Sequence, residues 1–172
     1  MLRESRKPEE RQSYRPVADT VISRLLWWAA GLSFAAAVIH GIATPEHLEE
    51  WWGYGLFFVT AAIAQVAYGV LLLLRPWEWE ADVPTDAPRT EEYARLMYLL
   101  GIGGNAAIIA LYVVSRTVGV PFLGPEAGEV EPVTQLGLIS KATEVALIWC
   151  LAALLRREKA GKWSALQQLK QI

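Results

Sequence analysis

Cysteine is almost absent from this chain. Cys150 stands alone, so no intramolecular disulfide can staple the fold, and no CxxCH haem-attachment site exists. Histidine is nearly as scarce. His40 and His47 are the only two, and no HExxH signature contains either. A bis-histidine haem would need both, yet they lie close in sequence and at different depths. Ser33, Ser115 and Ser140 occur without a Gly-x-Ser-x-Gly elbow, which argues against a nucleophilic hydrolase. Glycine-rich phosphate loops and dinucleotide fingerprints are missing as well. Basic residues are absent from residues 44–50, and Arg116 alone represents them in the connection near residues 116–134.

What the sequence has in abundance is apolar length. Hydrophobic residues make up 53% of the 172, and most of them fall into four runs, at about residues 21–43, 51–74, 96–115 and 136–155. Roughly 20 residues at 1.5 Å rise each cross a hydrocarbon core of ~30 Å. In lipid, each backbone amide must find its partner within its own segment, so such runs form helices. The expected fold class is all-α, an integral membrane four-helix transmembrane bundle. The first run follows about 20 polar residues, exceeds a signal-peptide core in length and precedes no small-residue cleavage pattern. It is therefore expected to be retained as a span.

Charge gives the orientation. If the four runs alternate across a bilayer, all sixteen Lys and Arg residues except Arg116 and Lys141 fall on one side. The positive-inside tendency then predicts both termini in the cytoplasm (N-in/C-in) and a plasma (inner) membrane location. Anionic lipid at that interface explains the basic residues, so nucleic acid is not an expected partner. Residues 1–20 read as a cytoplasmic tail, or a short surface helix, and residues 156–172 as a second tail. In the second, Trp163, Leu166 and Leu169 suit a short interfacial helix.

Local signals refine the spans. Pro45 is expected to end the first, and Thr90 with Glu91 and Glu92 to cap the start of the third. Trp27, Trp28, Trp51, Trp52, Trp77 and Trp79 sit where interfacial aromatic belts belong. Gly101, Gly103 and Gly104, with Ala106 and Ala107, suggest a face that packs against a neighbouring helix. Gly124, Pro125 and Gly128 demand turns.

The informative residues are the polar ones inside the apolar runs. An ionisable group at mid-span costs ~2.5–3.5 kcal/mol on insertion scales and so needs a partner or a purpose. His40 ends the first run; Lys141 and Glu144 lie in the outer half of the fourth, three apart and able to pair. That pairing alone can be a structural device. Asn105 and Gln65 suit interhelical hydrogen bonds. His47, Glu50 and Arg116 fall on the same outer side. An outer polar cavity containing His40, His47, Glu50, Arg116, Lys141 and Glu144 is therefore expected, with Arg116, Lys141, Glu144 and Asn105 as ligand contacts.

Imidazole and carboxylate together suit a divalent metal ion, so His40, His47 and Glu50 form a candidate metal set. In an unbroken helix the two histidines would stand about 10 Å apart, too far for one ion, so the set requires a break at Pro45. Three functions stay open. One is binding or transport of a metal ion or small polar ligand, without catalysis. A second is a non-catalytic subunit of a membrane complex, self-associated or bound to a partner chain. The third is a small membrane-embedded metal-dependent enzyme.

Overall fold

Every one of the four apolar runs folds as a helix; three helices extend beyond their runs, and the second begins one residue inside its run. The computed structural model describes residues 15–78, 87–122 and 124–169. Within them lie α1 (Arg15–Glu50), α2 (Trp52–Leu74), a single 3₁₀ turn (Pro76–Glu78), α3 (Ala87–Thr117) and α4 (Gln135–Leu169). Each helix is long and apolar enough to cross a membrane. Even α2, with 23 residues, reaches about 35 Å. Large apolar side chains such as Val38, Ile63, Leu100, Ile139 and Trp149 point outward in quantity. A soluble domain would bury them; an apolar surface of this extent is compatible with a multi-pass membrane protein.

Pro45 does not end the first helix. α1 continues through it to Glu50. Proline removes one amide from the ladder, and the Thr44 hydroxyl donates to the His40 carbonyl at 2.9 Å in the same turn. The chain reverses instead at Trp51, a single extended residue (φ −168°, ψ 136°) between α1 and α2. Its carbonyl accepts from the amides of Tyr54 (3.0 Å) and Gly55 (3.2 Å). Gly55 makes this corner possible, because a Cβ there would run into Leu48.

Two other boundaries differ from expectation. α3 begins at Ala87, so Thr90 lies inside the helix rather than capping it. α4 continues unbroken to Leu169 in place of a separate interfacial helix. Expectations for residues 1–14, for Trp79 and for residues 170–172 fall outside the described residues.

α1 packs along α2 and α4, and α3 packs along α4; α2 meets α3 mainly through bridging side chains. The bundle is chemically two-ended. At the end holding the start of α1 and the close of α4, Leu26, Ala29, Leu72, Leu147, Leu151 and Leu154 form a dry core. Trp77 lies in that core, edge-on to Tyr98 at 6.3 Å. It is a packing residue, unlike Trp27, Trp28 and Trp52, which are exposed. The opposite end holds the polar groups.

The glycine-rich stretch of α3 also divides. Gly101 lets the Tyr68 hydroxyl and Leu151 close against the backbone, and that hydroxyl donates to the Met97 carbonyl at 3.0 Å. Gly103 and Gly104 face open space. Gly101→Val is expected to lower stability by about 1–3 kcal/mol through overpacking, with Gly103→Ala neutral in the same thermal-unfolding measurement. Equal effects would contradict the packing described.

Candidate functional site

The polar end is built on one carboxylate. Glu144 has no exposed surface, yet it sits in an apolar helix beside three donors. The Lys141 ammonium donates to both of its oxygens, at 2.8 and 2.6 Å. The Ser140 hydroxyl donates at 3.1 Å from the preceding turn. From α1, His40 Nε2 stands 3.1 Å from Oε1. With lysine on both oxygens the carboxylate is an acceptor, so the imidazole N–H belongs on Nε2. His40 Nδ1 is left buried with no hydrogen-bond partner. Burying this many charges is tolerable only because each is paired and hydrogen-bonded.

Above this cluster lies a cavity of about 240 Å³, lined among others by His40, His47, Glu50, Arg116, Lys141 and Glu131. Five aromatic rings stand in its wall: Trp51, Tyr54, Phe57, Phe58 and Tyr112. Phe58 packs against both imidazoles, 4.1 Å from His47 and 5.8 Å from His40 between ring centroids. Tyr112 receives two cations on its ring, Arg116 at 4.9 Å and Lys141 at 5.3 Å. Cations over an aromatic face are attracted by its quadrupole. Yet the Tyr112 hydroxyl and Arg116 Nε are, like His40 Nδ1, buried without a partner.

The connection after α3 closes this end. Arg116 Nη1 donates to the Ser115 hydroxyl at 3.1 Å and pairs with Glu131. The Glu131 amide donates to the Ser115 carbonyl at 3.0 Å, so the returning chain is pinned to the last turn of α3. Thr134 then caps α4, its hydroxyl accepting from the Gly137 amide at 3.1 Å.

The expected site residues fall into two groups. His40, His47, Glu50, Arg116 and Lys141 line the cavity, with Glu144 immediately behind His40 and Lys141. Asn105 is elsewhere. It accepts from Gln65 Nε2 at 2.9 Å and donates to the Gly101 carbonyl at 2.7 Å. Ser33 Oγ lies 2.7 Å from both Gln65 Oε1 and the Gln65 carbonyl. This Ser33–Gln65–Asn105 chain ties three helices together, and Asn105 is not among the residues lining the outer cavity.

The metal set does not assemble. α1 is continuous between His40 and His47, so the two imidazoles stay two turns apart along one helix. His47 Nδ1 is engaged by Glu50 at 3.0 Å, and His40 Nε2 by Glu144. Among the described residues, no group of three or more His, Cys, Asp or Glu side chains could hold a metal ion.

No protein family, curated protein or solved structure matches this chain. The site must be read from its own geometry. Sequence reasoning did not single out Tyr112, Phe58, Ser140 or Glu131. Two of these were signalled by spacing, since Tyr112 precedes Arg116 by one helical turn and Ser140 precedes Glu144 likewise.

Glu144→Gln strands the Lys141 ammonium and is expected to lower stability by about 3 kcal/mol, whereas the apolar pair Lys141→Met with Glu144→Met recovers most of the loss. Chemical-denaturation curves in one detergent test this; a double variant as unstable as the single one would contradict the pairing. Elemental analysis of purified protein is expected to find metal far below one ion per chain. Stoichiometric metal would restore the discarded site.

Proposed function

We propose that the protein spans the plasma (inner) membrane four times, with both termini cytoplasmic, and binds a small ligand in the cavity at its outer end. The helix lengths support the spans, and the distribution of Lys and Arg supports the orientation. One observation carries the binding reading. Three buried polar atoms, His40 Nδ1, Tyr112 Oη and Arg116 Nε, lack protein partners, and all three residues line one cavity. An unsatisfied buried polar group costs about 1–3 kcal/mol, so three in one place are more economically explained by a ligand than by packing. The reading is binding, with or without passage across the bilayer, and not catalysis. Among the described residues no nucleophile is paired with a base here, and of the two imidazole–carboxylate pairs, His40 shares Glu144 with Lys141 while His47 is held by Glu50 on its own helix.

A subunit role is the second reading, favoured by the exposed small-residue face of α3 at Gly103, Gly104, Ala106 and Ala107. Purification in mild detergent as a defined homo-oligomer or with a partner chain would support it.

Native mass spectrometry of the mildly purified protein tests the binding reading. Wild type is expected to carry a bound small molecule that Ser115→Phe, which fills the cavity, loses. Bare protein in both cases would contradict it. Topology is tested with Cys150→Ala as background. A membrane-impermeant thiol reagent applied to intact cells is expected to label Val118→Cys and to spare Arg75→Cys.

A further inference from the structure

Below the outer cavity the bundle leaves further space unfilled. A second hollow of about 190 Å³ lies between α2 and α3, lined by Ala61, Ala64, Tyr68, Leu100 and Gly104 among others. Ile108 lines both hollows. The two also continue one another by helical register. On α2 the facing positions are Tyr54, Phe57, Phe58, Ala61, Ala64, Gln65 and Tyr68, at intervals of three and four. On α3 they descend from Ser115 through Leu111 and Ile108 to Gly104 and Gly101. From Tyr54 to Tyr68 this seam covers about 21 Å along α2.

Its chemistry changes along its length. The lower part is walled by small and apolar side chains, and its amides, Gln65 and Asn105, are bonded to each other. Ala64 and Gly104 are exposed at the seam, so it opens sideways on the apolar surface of the bundle. The upper part has five aromatic rings and the three residues whose buried polar atoms lack partners. A cavity of 240 Å³ holds one substituted ring but not a ring with a long tail.

The charges select further. Lys141 is paired with Glu144, Arg116 with Glu131, and His47 with Glu50. No cation here awaits an anion, and Glu50, Glu131 and Glu144 outnumber Arg116 and Lys141. A phosphate headgroup would compete with a carboxylate already paired to each cation, and the three carboxylates would repel it. A neutral headgroup meets no such penalty. Arg116 Nε needs an oxygen acceptor, His40 Nδ1 needs a hydroxyl donor as the unprotonated ring nitrogen, and the aromatic walls favour a flat ring whose oxygens can be carbonyl or hydroxyl.

Resting on the reading of the cavity as a ligand site, we propose that cavity and seam form one binding site for a membrane-dissolved amphiphile of the quinone class. Its neutral oxygen-bearing ring sits among Phe58, Tyr112 and His40, and its apolar tail runs between α2 and α3. The ligand enters from the bilayer, through the seam, rather than from water.

The test compares two probes on full-length protein in lipid nanodiscs, read by saturable quenching of tryptophan fluorescence above an empty-nanodisc blank. One is a decyl-tailed benzoquinone, the other its tail-less ring. Wild type is expected to bind both, the tailed form more tightly. Ala64→Phe, which plugs the seam from α2, is expected to weaken the tailed probe by about tenfold or more and to leave the ring within about twofold. Gly104→Phe plugs it from α3 and should do the same, and retained ring binding reports that either variant is folded. Equal weakening of both probes, or none, overturns the seam. No saturable binding of either probe to wild type overturns the quinone class, as does displacement of the tailed probe by a phosphatidylglycerol. If wild type then still carries a small-molecule adduct that Ser115→Phe loses, the cavity reading survives; if it does not, both fail together.

Discussion

The buried carboxylate of Glu144 constrains everything at the polar end of this bundle. An acid with no exposed surface, followed in its helix by the apolar run Val145 to Leu155, must be compensated from its surroundings. Lys141 and Ser140 compensate from α4 itself, and His40 from α1. Because His40 is recruited by Glu144, its second nitrogen is fixed at the cavity. Because Lys141 is held by the same carboxylate, its ammonium lies by the Tyr112 ring, which brings α3 into the arrangement. One costly group thus orients side chains from three helices. The opposite end, where Leu26, Leu72, Leu147 and Leu151 pack without polar groups, supplies the stability that makes this arrangement tolerable.

Depth separates three jobs along the same helices. The dry end packs, the middle is tied by Ser33, Gln65 and Asn105, and the far end presents unsatisfied donors and acceptors. α2 and α3 are where these layers fail to close. Their facing positions alternate between bridging groups, Gln65 to Asn105 and Tyr68 to Met97, and small residues that leave room. A bundle designed only to pack would fill Ala61, Ala64 and Gly104 with larger side chains. Small residues in lipid let backbones approach closely. Here Gly101 serves that purpose against Tyr68, while Gly104 faces open space beside the hollow between α2 and α3.

Much of this was legible in the sequence because the physics of apolar helices is repetitive. The four runs, the pairing of Lys141 with Glu144 at three residues, and the gathering of His40, His47, Glu50 and Arg116 at one end follow from length, spacing and alternation. Where local rules conflict with a longer-range constraint, the reading fails. Pro45 reads as a helix stop, but the hairpin closes only at Trp51 and α1 runs on to Glu50, and with that the metal set is lost. Trp51 and Trp77 read as interfacial anchors, yet one lines the cavity and the other is core, because helix rotation is set by packing that one sequence does not display. Asn105 shares the depth range of other polar residues but not their direction. The seam between α2 and α3 carries no motif at all; it arises from what two helices leave unfilled.

The coupling between His40 and Glu144 is the contact on which the cavity, its unpartnered nitrogen and the grip of α1 on α4 all depend. A double-mutant cycle with His40→Phe, Glu144→Gln and their combination, read as unfolding free energy in one detergent, measures it directly. A coupling of about 1 kcal/mol or more is expected for side chains in contact within one buried network. Strict additivity of the two substitutions would mean that the imidazole and the carboxylate do not meet, and the site as described would not exist.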